Sequence, residues 1–153
     1  MDLQHTADRL EITELLARYA RAVDRKDWDL YRTVFTDDAH IDYTSAGGTA
    51  AGLDEMCRWL DDALAQFPAT QHLVSNVIID LGTDSDGDGD RDAATVEAMF
   101  FNPMSMPDGS TWFTGGWYHH RVIRTPEGWR SRELVEESSW FAGMPTDLAS
   151  PEG

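Results

Sequence analysis

Cysteine is almost missing: Cys57 stands alone among 153 residues, so no disulfide can close within the chain. No apolar run reaches the roughly 18 residues that a membrane-crossing helix needs. Met1 to His5 holds no basic segment leading into an apolar stretch, so no secretory leader is expected and the location is expected to be cytoplasmic. Cations are scarce, with 12 Lys and Arg against 28 Asp and Glu and a net charge of −16. Phosphate binding needs a basic face, so nucleic acid and anionic membranes are excluded as partners. Glycine-rich phosphate loops, nucleophile elbows and metal-ligand spacings are also absent.

Aromatic side chains are plentiful. Six Trp, six Phe and four Tyr offer more ring surface than a minimal core needs, enough to line a cavity for an apolar or cyclic ligand. The length fits one domain, residues 1–144, followed by a Pro-, Gly-, Ser- and acid-rich tail, 145–153, expected to be flexible.

Ile12, Leu15, Leu16, Tyr19, Ala20 and Val23 recur at helical spacing, which predicts a first helix ending near Asp24 and Arg25. A short second helix follows from Asp27 and carries Trp28, Tyr31 and Phe35. Thr36-Asp37-Asp38 should break it, and Ala39–Tyr43 reads as a strand. Leu53, Met56, Cys57, Leu60, Leu64 and Phe67 outline a third helix, stopped by Pro68. Beyond that proline the period changes to two. Strands are predicted over Gln71–Leu81, Ala94–Met104, Thr111–Arg124 and Trp129–Phe141, with Gly115-Gly116 marking a bulge or bend. Helices first and strands afterwards argue an α+β fold: a cone-shaped, curved antiparallel sheet wrapped around the N-terminal helices and enclosing a pocket.

The acidic run Asp84 to Asp92 invites comparison with a calcium loop. Position twelve from Asp84 is Thr95 where the loop needs Glu, so a solvated hairpin loop is the reading. His119 and His120 are adjacent on a strand and point to opposite faces, so they cannot chelate one ion; no metal site is expected.

Five motifs together carry a resemblance: Tyr19 through Trp28, Phe35-Thr36-Asp37-Asp38-Ala39, Thr70 through Asn76, Gly115-Gly116-Trp117-Tyr118 and Gly128-Trp129-Arg130. Over nearly the whole chain, Leu10 to Trp140, the sequence resembles the nuclear transport factor two-like superfamily, in its SnoaL-like branch. Members include scytalone dehydratase, bile-acid 7α-dehydratase, hexachlorocyclohexane dehydrochlorinase, ketosteroid isomerase and polyketide cyclases. The missing metal, phosphate-loop and nucleophile-elbow motifs point to a cofactor-free site, and the resemblance implies a homo-oligomer, dimer or trimer, paired over the outer face of the sheet.

It also implies a constellation. Dehydratase-like members place a Tyr, an Asp five residues on and a His further along, which here are Tyr19, Asp24 and His72. A neutral imidazole removes a proton from carbon near pH 7, and a carboxylate on its other nitrogen fixes the tautomer and stabilises the imidazolium. Tyr19 then serves a developing oxyanion or the leaving hydroxyl. Trp28, Tyr43, Met56, Trp59, Asn76, Phe101, Trp112, Tyr118, His120 and Trp140 form the pool expected to shape the pocket, with the choice between His119 and His120 open because a bulge would shift the alternation. The function expected is a cofactor-independent lyase of dehydratase type, or a double-bond isomerase, acting on a small hydrophobic cyclic molecule such as a steroid, terpenoid or polyketide. The alternatives are a polyketide cyclase and a non-catalytic small-ligand-binding domain.

Overall fold

A computed structural model describes residues 2–82 and 91–144; the acidic run as far as Asp90 and the tail beyond Met144 lie outside these described residues. Helix α1 (Leu3–Arg25) starts where the Asp2 carboxylate accepts from the Gln4 N–H at 2.9 Å. Its stripe buries Ile12, Leu15, Leu16, Tyr19, Ala22 and Val23. It stops at Lys26, whose left-handed backbone (φ 54°) turns the chain while its ammonium donates to the Phe67 carbonyl. That stop leaves Asp24 in the last turn, above the sheet.

Helix α2 (Trp28–Arg32) is capped by Asp27, which accepts from the Leu30 N–H. It is shorter than its aromatic spacing implies. Phe35 already belongs to β1 (Phe35–Asp42), so the strand begins four residues earlier than expected. Thr36, Asp37 and Asp38 do not break structure there: the pairing of β1 slips between Phe35 and His40, and Asp38 faces outward to bond Arg132. A 3-10 turn over Thr44–Ala46, β2 (Ala50–Gly52) and α3 (Leu53–Leu64) follow, then β3 (Ala69–Thr70), β4 (Leu73–Leu81), β5 (Ala93–Ser105), β6 (Thr111–Thr125) and β7 (Gly128–Ala142).

The sheet runs β2-β1-β7-β6-β5-β3, with β4 also paired to β5. The expected all-antiparallel sheet is corrected to a mixed one, because β1 lies parallel to β7. The strand predicted over Gln71–Leu81 starts two residues later, as β4 at Leu73; Gln71 and His72 lie in a gap between it and the short β3, and both strands pair with β5. The architecture is α+β, helices packed against a strongly curled sheet.

Side-chain parity decides what faces inward. On β5 the even positions, Ala94 through Met104, are buried. On β6 Trp112, Thr114, Tyr118, His120 and Val122 are buried in the same way. Each large apolar side chain so buried contributes about 1.5–3 kcal/mol. Two breaks in the ladder override simple alternation. In β4 the register shifts between Ser75 and Ile78, where Asn76 takes a positive φ of 51°. Between β6 and β7, Gly115 pairs Trp140 and Gly116 pairs Ser138, so Ser139 is extra. The bulge predicted at Gly115-Gly116 is present, but the inserted residue lies on β7. The glycines permit the close approach: a Cβ on Gly116 would meet the Glu137 carbonyl oxygen at 2.0 Å, and one on Gly115 the Trp140 ring at 2.5 Å.

Candidate active site

His72 owes its geometry to the break between β3 and β4. Its N–H donates to both carboxylate oxygens of Asp24, at 3.0 and 2.9 Å. Its ring nitrogen Nδ1 lies 2.6 Å from Asp24 Oδ1, and the Thr70 hydroxyl donates to the same oxygen at 3.0 Å. Burial pushes the Asp24 carboxyl up, but the hydrogen bonds and charge of His72 and the Thr70 hydroxyl outweigh it and hold Asp24 below the usual carboxylate range. An ionised carboxylate only accepts, so Nδ1 carries a hydrogen toward Asp24, and Nε2 is the ring nitrogen that the carboxylate leaves free. The carboxylate thus orients the ring and fixes which nitrogen is available for proton transfer.

His72 lines a cavity of about 100 Å³ together with Tyr19, Tyr43, Trp59, Asn102, Trp112, Tyr118 and Glu136. Val23, Leu60, Leu64, Met104 and Phe141 complete most of its apolar wall. Among the described residues, no Lys or Arg lines it. Tyr19, Tyr31 and Tyr43 form a buried chain of hydroxyls: Tyr19 to Tyr43 at 2.7 Å and Tyr31 to Tyr43 at 3.0 Å. Tyr31 ends the chain, so reversing the run would strand its buried donor. The favoured direction is therefore Tyr31 to Tyr43 to Tyr19, which leaves the Tyr19 proton to the cavity. Burial raises the pKa of Tyr19, Tyr43 and Tyr118 well above the usual phenol range, so all three stay protonated.

Of the residues expected at the site, the structure gathers Tyr19, His72, Tyr43, Trp59, Trp112 and Tyr118 around one cavity, with Asp24 hydrogen-bonded behind His72. Six others lie elsewhere. Trp28 is half-buried and its indole donates to Asp61. Met56 is fully buried core. Asn76 is exposed at the β4 irregularity. Phe101 has odd parity on β5 and faces out, 41% exposed. Trp140 follows the extra Ser139 and is flipped to the outer face, which brings Phe141 inward instead. His120 is buried on the inner face, while His119 is outside between Glu97 and Glu137. Yet His120 does not line the cavity: its Nδ1 bonds the Ser131 hydroxyl at 2.9 Å, and burial drives its pKa down to about 3. Asn102, Thr114, Glu136 and Phe141 line the cavity without having been expected there. Among the described residues, no three His, Cys, Asp or Glu side chains come close enough to hold a metal ion, and no helix is long and apolar enough to cross a membrane.

Helices on a curled sheet around such a cavity define the cone fold of the nuclear transport factor two-like superfamily. The chain belongs to the SnoaL-like domain family, which matches residues 4–135. It is 34% identical over 138 residues to uncharacterized protein Rv2910c of Mycobacterium tuberculosis, covering 89% of this chain and 88% of that one. The structure of Kfla4162 from Kribbella flavida superposes with a TM-score of 0.80 at 30% identity, over 96% of this chain and 99% of that one. A type 2 hexachlorocyclohexane dehydrochlorinase (LinA) shares the fold, with a TM-score of 0.79 over 100% and 99% of the two chains, at 17% identity.

Proposed function

We propose that the protein is a cofactor-independent lyase of dehydratase type, or a double-bond isomerase, acting on a small cyclic molecule. The Asp24–His72 pair opening onto an apolar cavity is the observation that carries this reading. His72 Nε2 takes a proton from a substrate carbon. Asp24 holds the tautomer and stabilises the imidazolium that forms. The Tyr19 hydroxyl, polarised by Tyr43 and Tyr31, meets the oxygen on which charge develops. In elimination the electron pair of the broken C–H bond forms the double bond as hydroxide leaves, and the proton on His72 balances the departing group as water. In isomerisation the same proton returns at another carbon.

Size narrows the substrate. A cavity of about 150 Å³ is known to take one benzene ring, so about 100 Å³ falls short of a full six-membered aromatic ring and holds only the reacting part of a substrate. The rest of a larger terpenoid, steroid or polyketide would lie in the adjoining groove, about 220 Å³, lined by Gly47, Gly48, Phe67 and Met144 and sharing Trp59 and Trp112 with the cavity. The first test is a panel of cyclic β-hydroxyketones and unsaturated ketones in D₂O, followed by NMR for loss of water and for deuterium entering at carbon. Catalysed exchange or elimination supports the reading. Rates equal to buffer across the panel, with the same compounds still binding, would favour a ligand-binding domain.

The expected self-association is part of the same proposal. Met99, Phe101 and Trp140 are exposed on the outer face of the sheet, and Phe101 packs against Phe113 and Trp140 at ring separations of 5.6 and 5.8 Å. An apolar cluster of this kind suits burial against a second copy. Light scattering should report a dimer or trimer, and Phe101→Glu should shift it to monomer; a monomeric wild type at micromolar concentration sinks this part.

A further inference from the structure

Three buried polar atoms belonging to residues of the cavity wall have no hydrogen-bond partner among the described residues: Glu136 Oε1, Trp112 Nε1 and Asn102 Oδ1. Such atoms cost about 1–3 kcal/mol each when left unsatisfied, which is why native interiors hold few of them. They are three of the six such atoms among the described residues, and their residues share the wall of one cavity of about 100 Å³. They come from neighbouring strands, Asn102 from β5, Trp112 from β6 and Glu136 from β7, all on the inner face. Two are fixed in kind: the indole only donates, and the amide oxygen only accepts.

We propose that these three atoms read the substrate, and that it is an oxygenated ring carrying both a hydrogen-bond acceptor and a donor, a hydroxyketone in type, held by a hydrogen bond to the Glu136 carboxyl group. The inference rests on the acid–base reading of the site and deepens it by naming the substrate class. An unadorned hydrocarbon or halocarbon ring would leave all three atoms unpaired.

The surroundings of Glu136 favour its neutral form. Facing it are Tyr118, its partner on β6, Tyr19 from α1, Tyr31 from α2, Asp42 and Tyr43 at the end of β1, and His72 at the head of β4. No cation stands among the wall residues to hold a carboxylate. Burial pushes its pKa up to about 8 although the neighbouring Ser138 hydroxyl pulls it down, and the charge of Asp42 adds to the rise. The carboxylic acid then has one O–H to donate near neutral pH and loses it above about pH 8. No covalent step is assigned to it.

The test is binding of 3-hydroxycyclohexanone, with toluene as the apolar counterpart, to the full chain by NMR titration. The hydroxyketone should bind at least tenfold more tightly than toluene. Its affinity should fall tenfold per pH unit above about pH 8. Glu136→Leu should lose tenfold or more at pH 6.5. Glu136→Gln, which keeps a neutral donor, should retain the affinity and lose the pH dependence. Binding is scored separately from the elimination and exchange rates of the same compound, so failure of the base mechanism and failure of substrate reading are told apart. Equal binding of toluene, or wild-type affinity and pH dependence in Glu136→Gln, overturns the assignment. A ¹³C signal showing the Glu136 carboxylate ionised at pH 6.5 does so independently of any ligand and of whether Glu136→Leu folds.

Discussion

His72→Ala is expected to lower turnover by about 10²–10⁴-fold, the usual worth of a positioned general base, while the fold survives. Two hydrogen bonds hold the loop to Asp24 through the His72 backbone N–H, and alanine keeps that N–H. What disappears is the ring alone, and with it Nε2. Asp24→Asn makes a sharper case. The amide can place its NH₂ against Nδ1, which turns Nδ1 into the acceptor and puts the hydrogen on Nε2, where it blocks proton abstraction. A loss on the order of 10⁴-fold follows from the wrong tautomer, with little change in KM. Initial rates on any active member of the ketone panel, with KM and kcat separated, check both variants. If either keeps the wild-type kcat, the dyad is not the base. If both lose affinity and rate together, the pair acts in binding.

Tyr19, Asp24 and His72 were legible as a set only through the resemblance to the family. Spacing alone put Asp24 near the end of α1 and His72 at a strand opening, and gave no sign that they meet. The pocket wall was less readable, for reasons that differ by strand. On β5 the information was present: Ala94, Val96, Ala98 and Phe100 share even parity, so Asn102 faces in and Phe101 out. A polar residue on that apolar face was the available signal. On β7 it was not. Register slips near Arg132 and at Ser139 reset the alternation twice, and neither bulge has a local sequence mark on the strand that carries it. Trp140 therefore moved to the outer face and Phe141 took its place. Glu136, between the two slips, stayed one acid among 28. The parallel pairing of β1 with β7 also depends on long-range contact rather than on any pattern within β1.

Stability should depend most on a residue far from the chemistry. Asp8 lies eleven positions before Tyr19 on α1, roughly 16 Å along the axis, and is only 3% exposed. Arg124 of β6 grips it in two parallel bonds of 2.9 and 3.0 Å, and the Trp129 indole and the Gln4 amide donate to the same carboxylate at 3.1 and 3.0 Å. Arg124 also stacks on the Trp129 ring, 4.7 Å from its centroid, and bonds Asp92. This cluster ties the first helix to the last two strands. Asp8→Ala would strand the Trp129 donor in the core and half-release the guanidinium. Breaking a buried pair costs about 3–5 kcal/mol; Arg124 keeps some contact with water, so about 3 kcal/mol is expected. For a chain of this length that is a fall of roughly 6–12 °C in Tm. The pH dependence has a definite sign. Arg124 holds the Asp8 carboxyl down to about 2 against an ordinary value of 3.8, so the unfolded chain binds its proton first. The stabilisation is complete above about pH 4 and is lost as pH falls through about 2, amounting to about 2 kcal/mol. Urea melts of wild type and Asp8→Ala at pH 6 and pH 2.5 measure both effects together. The gap between the two proteins should be widest at pH 6 and narrow on acidification. A variant within about 1 kcal/mol of wild type at pH 6, or a gap that grows in acid, rules out the carboxylate as the clasp between α1 and the sheet.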